Sequence, residues 1–266
     1  MLSIENLTVQ RGGRTVLENV TLSLAPGQVT AVLGLNGAGK TTLLKAVLGF
    51  IPRQAGKLTA DGRALDRLSP SARAKKLAYV PQIYDGGFHH SVEDFVSMGV
   101  TAYLGAFSRP GRNDLQRAGD ILDRLNCGHL IGRSMAKLSG GERRMAYLAR
   151  AVMQNADYLL LDEPVSSLDL SRQHGFLGSL REYVHRRQAG CLLTIHAPEL
   201  AYAYADRILV LHNRQILMDA ARDAAGFEEA LGKALRAIYG PALRVDTLNG
   251  ALVLGWDGVQ TDRHSR

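Results

Sequence analysis

Between Val29 and Leu48 the sequence passes from a short β-branched run, Val29-Thr30-Ala31-Val32-Leu33, through Gly34-Leu35-Asn36-Gly37-Ala38-Gly39-Lys40-Thr41, into apolar positions at helical spacing. The spacing G-x-x-x-x-G-K-[ST] carries meaning in that order of strand, loop and helix, which this chain supplies. Glycines let the loop curl until successive backbone N–H groups point inward, and the helix beginning near Lys40 turns its positive end toward the same point. Such a concave amide surface fits a polyphosphate. Gly34, Asn36, Gly37, Ala38, Gly39, Lys40, Thr41 and Thr42 are the residues expected to hold one. Lys40 is expected to neutralise the β- and γ-phosphates and the Thr41 hydroxyl to coordinate magnesium, which takes hard oxygen ligands.

The remaining patterns extend this unit into an α/β fold. Residues 2–9 and 15–24 read as two strands about the Gly12-Gly13 turn, an antiparallel hairpin. From about 85 to 145, Val92, Phe95 and Val96, then Ala118, Ile121, Leu122 and Leu125, recur at helical spacing, with a loop over 108–112. A helix over 142–154, the strand Tyr158–Leu161, a helix over about 170–187, the strand Cys191–Ile195 and a strand near Ile208–Leu211 follow. Strands alternating with helices imply a mostly parallel sheet. The expected architecture is a P-loop core with an N-terminal antiparallel β subdomain and an inserted helical subdomain. Residues 1–220 form the main domain, and 221–266 form a small extension with a helix over 227–238 and strands over 243–246 and 251–254.

At 266 residues the chain can bury a substantial core but cannot hold two complete enzymes. The net charge of +7 allows an anionic partner without choosing among nucleotide, nucleic acid and lipid. Pairs such as Lys75-Lys76 and Arg143-Arg144 read as solvated helix faces. Cys127 and Cys191 lie far apart and outside any Cys-x-x-Cys pattern, which argues against a disulfide framework and fits a reducing cytosol. His89-His90 reads as a solvated loop for want of further ligands nearby. Tyr202 and Tyr204 read as packing residues, not as a stacking platform for nucleic acid. The start of the chain alternates like a strand, unlike a signal peptide, and no apolar run approaches the roughly 20 residues that span a bilayer.

Two further elements define the chemistry. Leu159-Leu160-Leu161-Asp162-Glu163 is an apolar strand ending in two acids, placed where a neighbouring parallel strand delivers them to the phosphates. Asp162 suits the magnesium shell, and Glu163, one residue beyond, suits a general base for the attacking water. Leu138-Ser139-Gly140-Gly141-Glu142 opens the helix before that strand and makes a second phosphate-binding helix N-terminus. One chain cannot easily direct both termini at one phosphate.

With these motifs the sequence resembles the ATP-binding cassette (ABC) family, whose signature reads as residues 138–142 do here and contacts the γ-phosphate held by the opposite subunit. The resemblance covers about residues 2–220. It extends to Gln82 in Tyr79-Val80-Pro81-Gln82, matching the glutamine loop that senses magnesium and the membrane partner. It also takes in Ser167-Leu168-Asp169, matching a loop that crosses the dimer interface, and His196, matching the switch histidine. It implies ATP and Mg2+ as ligands, with Thr41, Gln82 and Asp162 around the metal. Ser139, Gly140 and Gly141 then complete the partner's site, and Glu163, His196 and Lys40 are the catalytic set. It further implies a homodimer bound to an integral membrane permease at the cytoplasmic face of the membrane, served indirectly by an extracellular or periplasmic substrate-binding protein.

Four positions depart from the family pattern. Arg11 stands where an aromatic side chain usually stacks on adenine, a task a guanidinium plane can also perform. Ala197-Pro198 follow the switch histidine in place of an Asp, and Arg144-Met145 replace the usual Gln-Arg pair. Asn213-Arg214 stand at a turn glycine, where Asn213 tolerates a left-handed backbone. The ending around Ala234–Gly240 and the stretches Ser91–Asp94 and Met98-Gly99 look like cassettes of iron-siderophore, haem and cobalamin importers. An ATPase subunit of an exporter or lipid-transport system shares the same motifs and stays open as an alternative. A soluble cassette acting on ribosomes or nucleic acid does too, although the second cassette or coiled-coil insertion usual there is absent.

Overall fold

The computed structural model describes residues 1–82, 90–105, 107–166 and 168–257. Ser167 and His89 therefore lie outside the described residues. The chain begins with β1 (Leu2–Arg11) and β2 (Arg14–Leu24), an antiparallel pair joined by β4 (Ala55–Ala60) and β5 (Arg63–Ala64) in a four-stranded sheet of order β2-β1-β4-β5. Leu2, Ile4, Leu7 and Val9 are all buried although the step from Ile4 to Leu7 breaks the two-residue period. A register shift between Ile4 and Leu7, with Asn6 at φ 51°, restores the phase. Asn19, at φ 52°, does the same between Leu17 and Val20 on β2. The displaced amides are satisfied across the pair, Asn6 N–H by Thr21 Oγ1 (2.9 Å) and Asn19 N–H by Thr8 Oγ1 (3.2 Å).

The second sheet has six strands in the order β10-β9-β3-β8-β7-β6. These are β3 (Val29–Leu33), β6 (Leu77–Val80), β7 (Tyr158–Leu161), β8 (Gly190–Thr194), β9 (Arg207–His212) and β10 (Gln215–Ala221). All pair in parallel except β9 with β10. Every residue of β3, β7 and β8 is buried, as expected where helices cover both faces. α1 (Lys40–Leu48) covers one face, toward the antiparallel sheet, and α5 (Gly140–Met153), α6 (Leu170–Arg187) and α7 (Pro198–Tyr204) contribute to the core on the other. One placement differs from the sequence reading. β7 is not the neighbour of β3, because β8 lies between them, so Asp162 must reach the loop of Lys40 across the end of a third strand.

Between β6 and α5 the described residues include α3 (Val92–Ser97), a 3-10 turn over 98–103 and α4 (Arg112–Arg124). Phe95 anchors this segment on α5, its ring centroid 4.7 Å from that of Tyr147 and the Arg150 guanidinium 5.3 Å from its own. The solvated-face reading fails at Arg144, while Lys75 and Lys76 lie on a helix with no buried residue. Arg144 is buried and donates to Pro164 O (3.2 Å) and Ser166 Oγ (3.4 Å). Lys76, at the end of α2 (Pro70–Lys76), bridges Asp61 (2.7 Å) and Asp157 (2.6 Å), while Lys75 lies 4.9 Å from the Tyr103 ring centroid.

After β10, α8 (Phe227–Tyr239) packs with the hairpin β11 (Leu243–Leu248) and β12 (Ala251–Trp256) against α7. Leu231, Leu235, Ile238, Leu243 and Leu252 join the core cluster of the six-stranded sheet. At the β9–β10 turn both Asn213 (φ 46°) and Arg214 (φ 72°) are left-handed, so the turn asks the same of an arginine as of the asparagine. Both cysteines are buried and free, and no helix among the described residues is long and apolar enough to cross a membrane.

Truncating the fully enclosed Phe95 removes the ring contacts of α3 with Tyr147 and Arg150 on α5. Phe95→Ala is expected to cost about 3–5 kcal/mol in urea unfolding, and a loss below about 1 kcal/mol would contradict this packing role.

Candidate active site

The site lies at the C-terminal edge of the six-stranded sheet, where four strands end side by side. β3 continues into the glycine loop, β8 into His196, β7 into Asp162 and Glu163, and β6 into Gln82. The loop requires glycine at two close approaches. A Cβ on Gly34 would lie 2.6 Å from Leu211 O, and one on Gly39 would lie 2.9 Å from Leu17 Cδ2 with the backbone at φ 107°. Gly39 is the N-cap of α1, so the helix presents its first amides at the loop.

Lys40 is only 4% exposed and directs its ammonium inward, to Gly34 O (2.8 Å) and Leu35 O (3.1 Å). His196 Nδ1 lies 3.4 Å and Glu163 Oε1 4.0 Å from the same nitrogen. Burial lowers the Lys40 pKa, while the charges of Glu163 and Asp162 oppose that shift.

Asp162 is 1% exposed and accepts at both oxygens. Thr41 Oγ1 (2.9 Å) and Thr194 Oγ1 (3.0 Å) donate to Oδ1, and the Tyr79 hydroxyl lies 3.4 Å from Oδ2. Thr194 closes the gap that β8 opens between β3 and β7, and its oxygen also accepts the Glu163 amide at 2.8 Å. Glu163 has φ 46°, uncommon for a side chain of its size. It is held by that amide bond, by Gln82 Nε2 donating to Oε2 (2.6 Å), and by a close contact between Oε1 and His196 Nε2. Thr41 Oγ1, the Asp162 carboxylate and the carbonyl oxygen of Gln82 are hard donors of the kind magnesium takes.

The cluster therefore joins Lys40, Thr41, Gln82, Asp162, Glu163 and His196. Arg11 is not part of it. It is exposed at the hairpin tip, opposite Arg14, and that hairpin borders the loop through Val16, whose carbonyl would lie 3.2 Å from a Cβ on Gly39. Ser139, Gly140 and Gly141 also stand apart. Ser139 is the N-cap of α5 in a capping box, its Oγ accepting Glu142 N–H (3.3 Å) and its N–H donating to Glu142 Oε2 (2.8 Å). Among the described residues no hydrogen bond links this turn to the loop of Lys40, and Ser139 and Gly140 are exposed. The Ser139 amide, with Arg133 assisting against burial, pulls the Glu142 pKa down to about 2.

Two members of the site escaped sequence reading. Thr194 is a polar residue in the otherwise apolar run Cys191–Ile195, a detectable signal, and Tyr79 stood inside the glutamine motif without a role of its own. Asp169, the N-cap of α6, accepts Arg172 N–H at 2.9 Å.

The sequence profile described as ABC transporter matches residues 17–166. A hemin import ATP-binding protein of Pseudomonas fluorescens is 40% identical over 253 residues, covering 93% of this chain and 95% of that protein. A probable iron chelatin transport ATP-binding protein of Helicobacter pylori is 33% identical over 226 residues, covering 85% of this chain and 89% of its own length. Among solved structures, the inward-facing form of an ABC transporter assigned to the metal-chelate type superposes with a TM-score of 0.79 at 28% identity, covering 96% of each chain.

Thr194→Val keeps the shape and removes the hydroxyl, leaving buried Asp162 short of a donor and the Glu163 amide short of an acceptor. The expected cost in denaturant unfolding is about 1–3 kcal/mol. The Glu142 shift sets an acid dependence. A carboxylate whose pKa falls on folding stabilises above its ordinary value of 4.5, and that contribution fades as pH drops toward about 2. The stability gap between the parent and Glu142→Gln is therefore expected to hold steady above pH 5 and to shrink below pH 4.5, as read by urea unfolding across pH.

Proposed function

Because this chain belongs to the ABC transporter family, as an ATPase subunit, we propose that it drives uptake of hemin or a related ferric chelate through a separate permease. The observation that carries the chemistry is the fixation of Glu163 from three sides at the edge of the glycine loop. The cargo rests on relatives that cover nearly the whole chain, the extension after residue 220 included.

In this reading the Gly34–Thr42 loop and the α1 N-terminus hold the phosphates, and Lys40 turns from its loop carbonyls to the β- and γ-phosphate oxygens. Arg11 stacks by its guanidinium plane on the base from the hairpin tip. Magnesium, when bound, neutralises charge developing on the phosphates, and Thr41, Asp162 and Gln82 are the residues that would hold it. Glu163 accepts a proton from the attacking water as its oxygen bonds to the γ-phosphorus and the bond to the β-phosphate oxygen breaks. Gln82 and His196 fix both carboxylate oxygens, and His196 also faces the γ-phosphate through its place beside Lys40.

Ser139, Gly140 and Gly141 serve a second copy. With Ser139 and Gly140 exposed and no hydrogen bond among the described residues joining the turn to its own chain's loop, the three cap the γ-phosphate held by the partner, so that two copies close around two nucleotides. Residues 1–220 form the ATPase domain, in which the helical part around Gln82 receives the permease, and 221–266 form the extension. The pair sits peripherally on the cytoplasmic face of the membrane, and the substrate-binding protein acts through the permease from the other side.

Glu163→Gln retains the size of the side chain and loses the base. With saturating Mg-ATP the variant is expected to persist as a nucleotide-bound dimer in light scattering while turnover falls at least about 100-fold. Parental turnover would overturn the role of Glu163, and a monomer at saturation beside its permease would overturn the shared site. Uptake assays with hemin and with ferric siderophores in vesicles carrying the cognate permease test the cargo.

A further inference from the structure

His196 sits where regular structure gives it little support. Before it, β8 is tied into the sheet, the last such bond running from Ile195 N–H to Val32 O at 3.1 Å. After it comes α7, a helix of seven residues whose N-cap, Ala197, offers no side-chain hydrogen bond. The His196 carbonyl falls in the gap between strand and helix, and it is met from outside the P-loop core. The Tyr239 hydroxyl, on the last residue of α8, lies 3.3 Å from it. Tyr239 is half-buried, and burial followed by the charge of Glu199 pushes its pKa up, which keeps the proton available for donation.

The same extension grips α7 along its length. β12 packs on α7, and the Tyr202 hydroxyl donates to Glu228 Oε1 at 2.8 Å. The Tyr202 ring lies 6.2 Å from that of Phe227 and carries the Arg222 guanidinium 4.4 Å from its centroid. Ala197 before α7 and Tyr239, Val245 and Leu254 of the extension each pack against the main core. The segment that presents His196 is thus clamped between the sheet and the residues after 221.

We propose that α8 and the β11–β12 hairpin are a brace for the histidine loop, with Tyr239 as a positioning residue that sets the His196 imidazole against Glu163 and Lys40 by holding the His196 carbonyl. This rests on the reading of His196 as a group that faces the γ-phosphate. Tyr239 touches no nucleotide-binding residue of the loop, so its effect passes through His196. A hydroxyl that only stabilised the extension would lower the melting temperature and leave the turnover of the folded protein unchanged.

The test uses full-length Tyr239→Phe, His196→Ala and the double variant, with steady-state ATP hydrolysis and thermal melting measured on each. Tyr239→Phe is expected to lower kcat about three- to tenfold with KM for ATP within about twofold of the parent. In the His196→Ala background the same change is expected to do nothing further, because the group it positions is gone. Parental kcat in Tyr239→Phe beside a crippled His196→Ala overturns the brace and leaves the role of His196 intact. Equal fold-losses from Tyr239→Phe in both backgrounds overturn it as well, by showing an effect that does not run through His196. Parental kcat in His196→Ala overturns the role of the histidine itself, and this inference with it.

Discussion

The rest of the site depends on the carboxylate of Asp162. It is almost wholly enclosed, and a buried anion persists only where donors and nearby positive charge compensate it. Here the donors come from different elements, Thr41 from α1, Thr194 from β8 and Tyr79 from β6, so satisfying one anion fixes the relative height of neighbouring strand ends. Thr194 passes that constraint one residue further, because the oxygen that donates to Asp162 accepts the Glu163 amide. The left-handed backbone at Glu163 is held by this arrangement, which over-determines a conformation that alone would cost about 1–3 kcal/mol.

Much of this was legible in the sequence, for a physical reason. Residues 34–41, 138–142 and 162–163 act through backbone amides and charges whose placement follows from local order, strand to loop to helix, and local order is written in spacing. The hairpin, the central strands and the helices α5, α6 and α8 were equally plain, since their apolar periods are set by burial on one or two faces, whereas α7 was not read. What spacing cannot carry is the order of strands in a sheet. Because β8 comes between β3 and β7, the acids arrive from two strands away, and the need for a bridging hydroxyl at Thr194 could not be read from either motif alone. Arg144 was misread for a related reason. Its place next to Arg143 suggests a wet face, but the turn after Glu163 folds over it and supplies two acceptors.

Strands β4, β5, β6 and β10 and helix α2 were likewise hidden. Short and of mixed polarity, they owe their conformation to partners distant in sequence, as β4 does to β1. The breaks in period at Asn6 and Asn19 were visible and informative in retrospect. A spacing of three between buried residues in a strand calls for a bulge, and asparagine is the side chain that tolerates it.

The N-terminal ends of α1 and α5 are held in different ways, and that difference bears on the proposed function. The α1 end is welded to buried strands through Asp162 and through close contacts at Gly34 and Gly39 that leave no room for a side chain. The α5 end is closed by its own capping box, touches the turn after Glu163 through Arg144, and packs Gly141 near Leu168 and Arg172. Its N-cap and first residue remain exposed. A helix N-terminus whose N-cap bonds are satisfied by Glu142, and whose N-cap and first residue are exposed, is open to an anion brought by another molecule. On the proposed function, a rigid half that holds nucleotide and an exposed half that recognises it elsewhere would make association between copies the step that nucleotide controls. Motion is then expected at the joints between the sheet and the helical segment carrying α5, with the strand ends around Asp162 staying fixed.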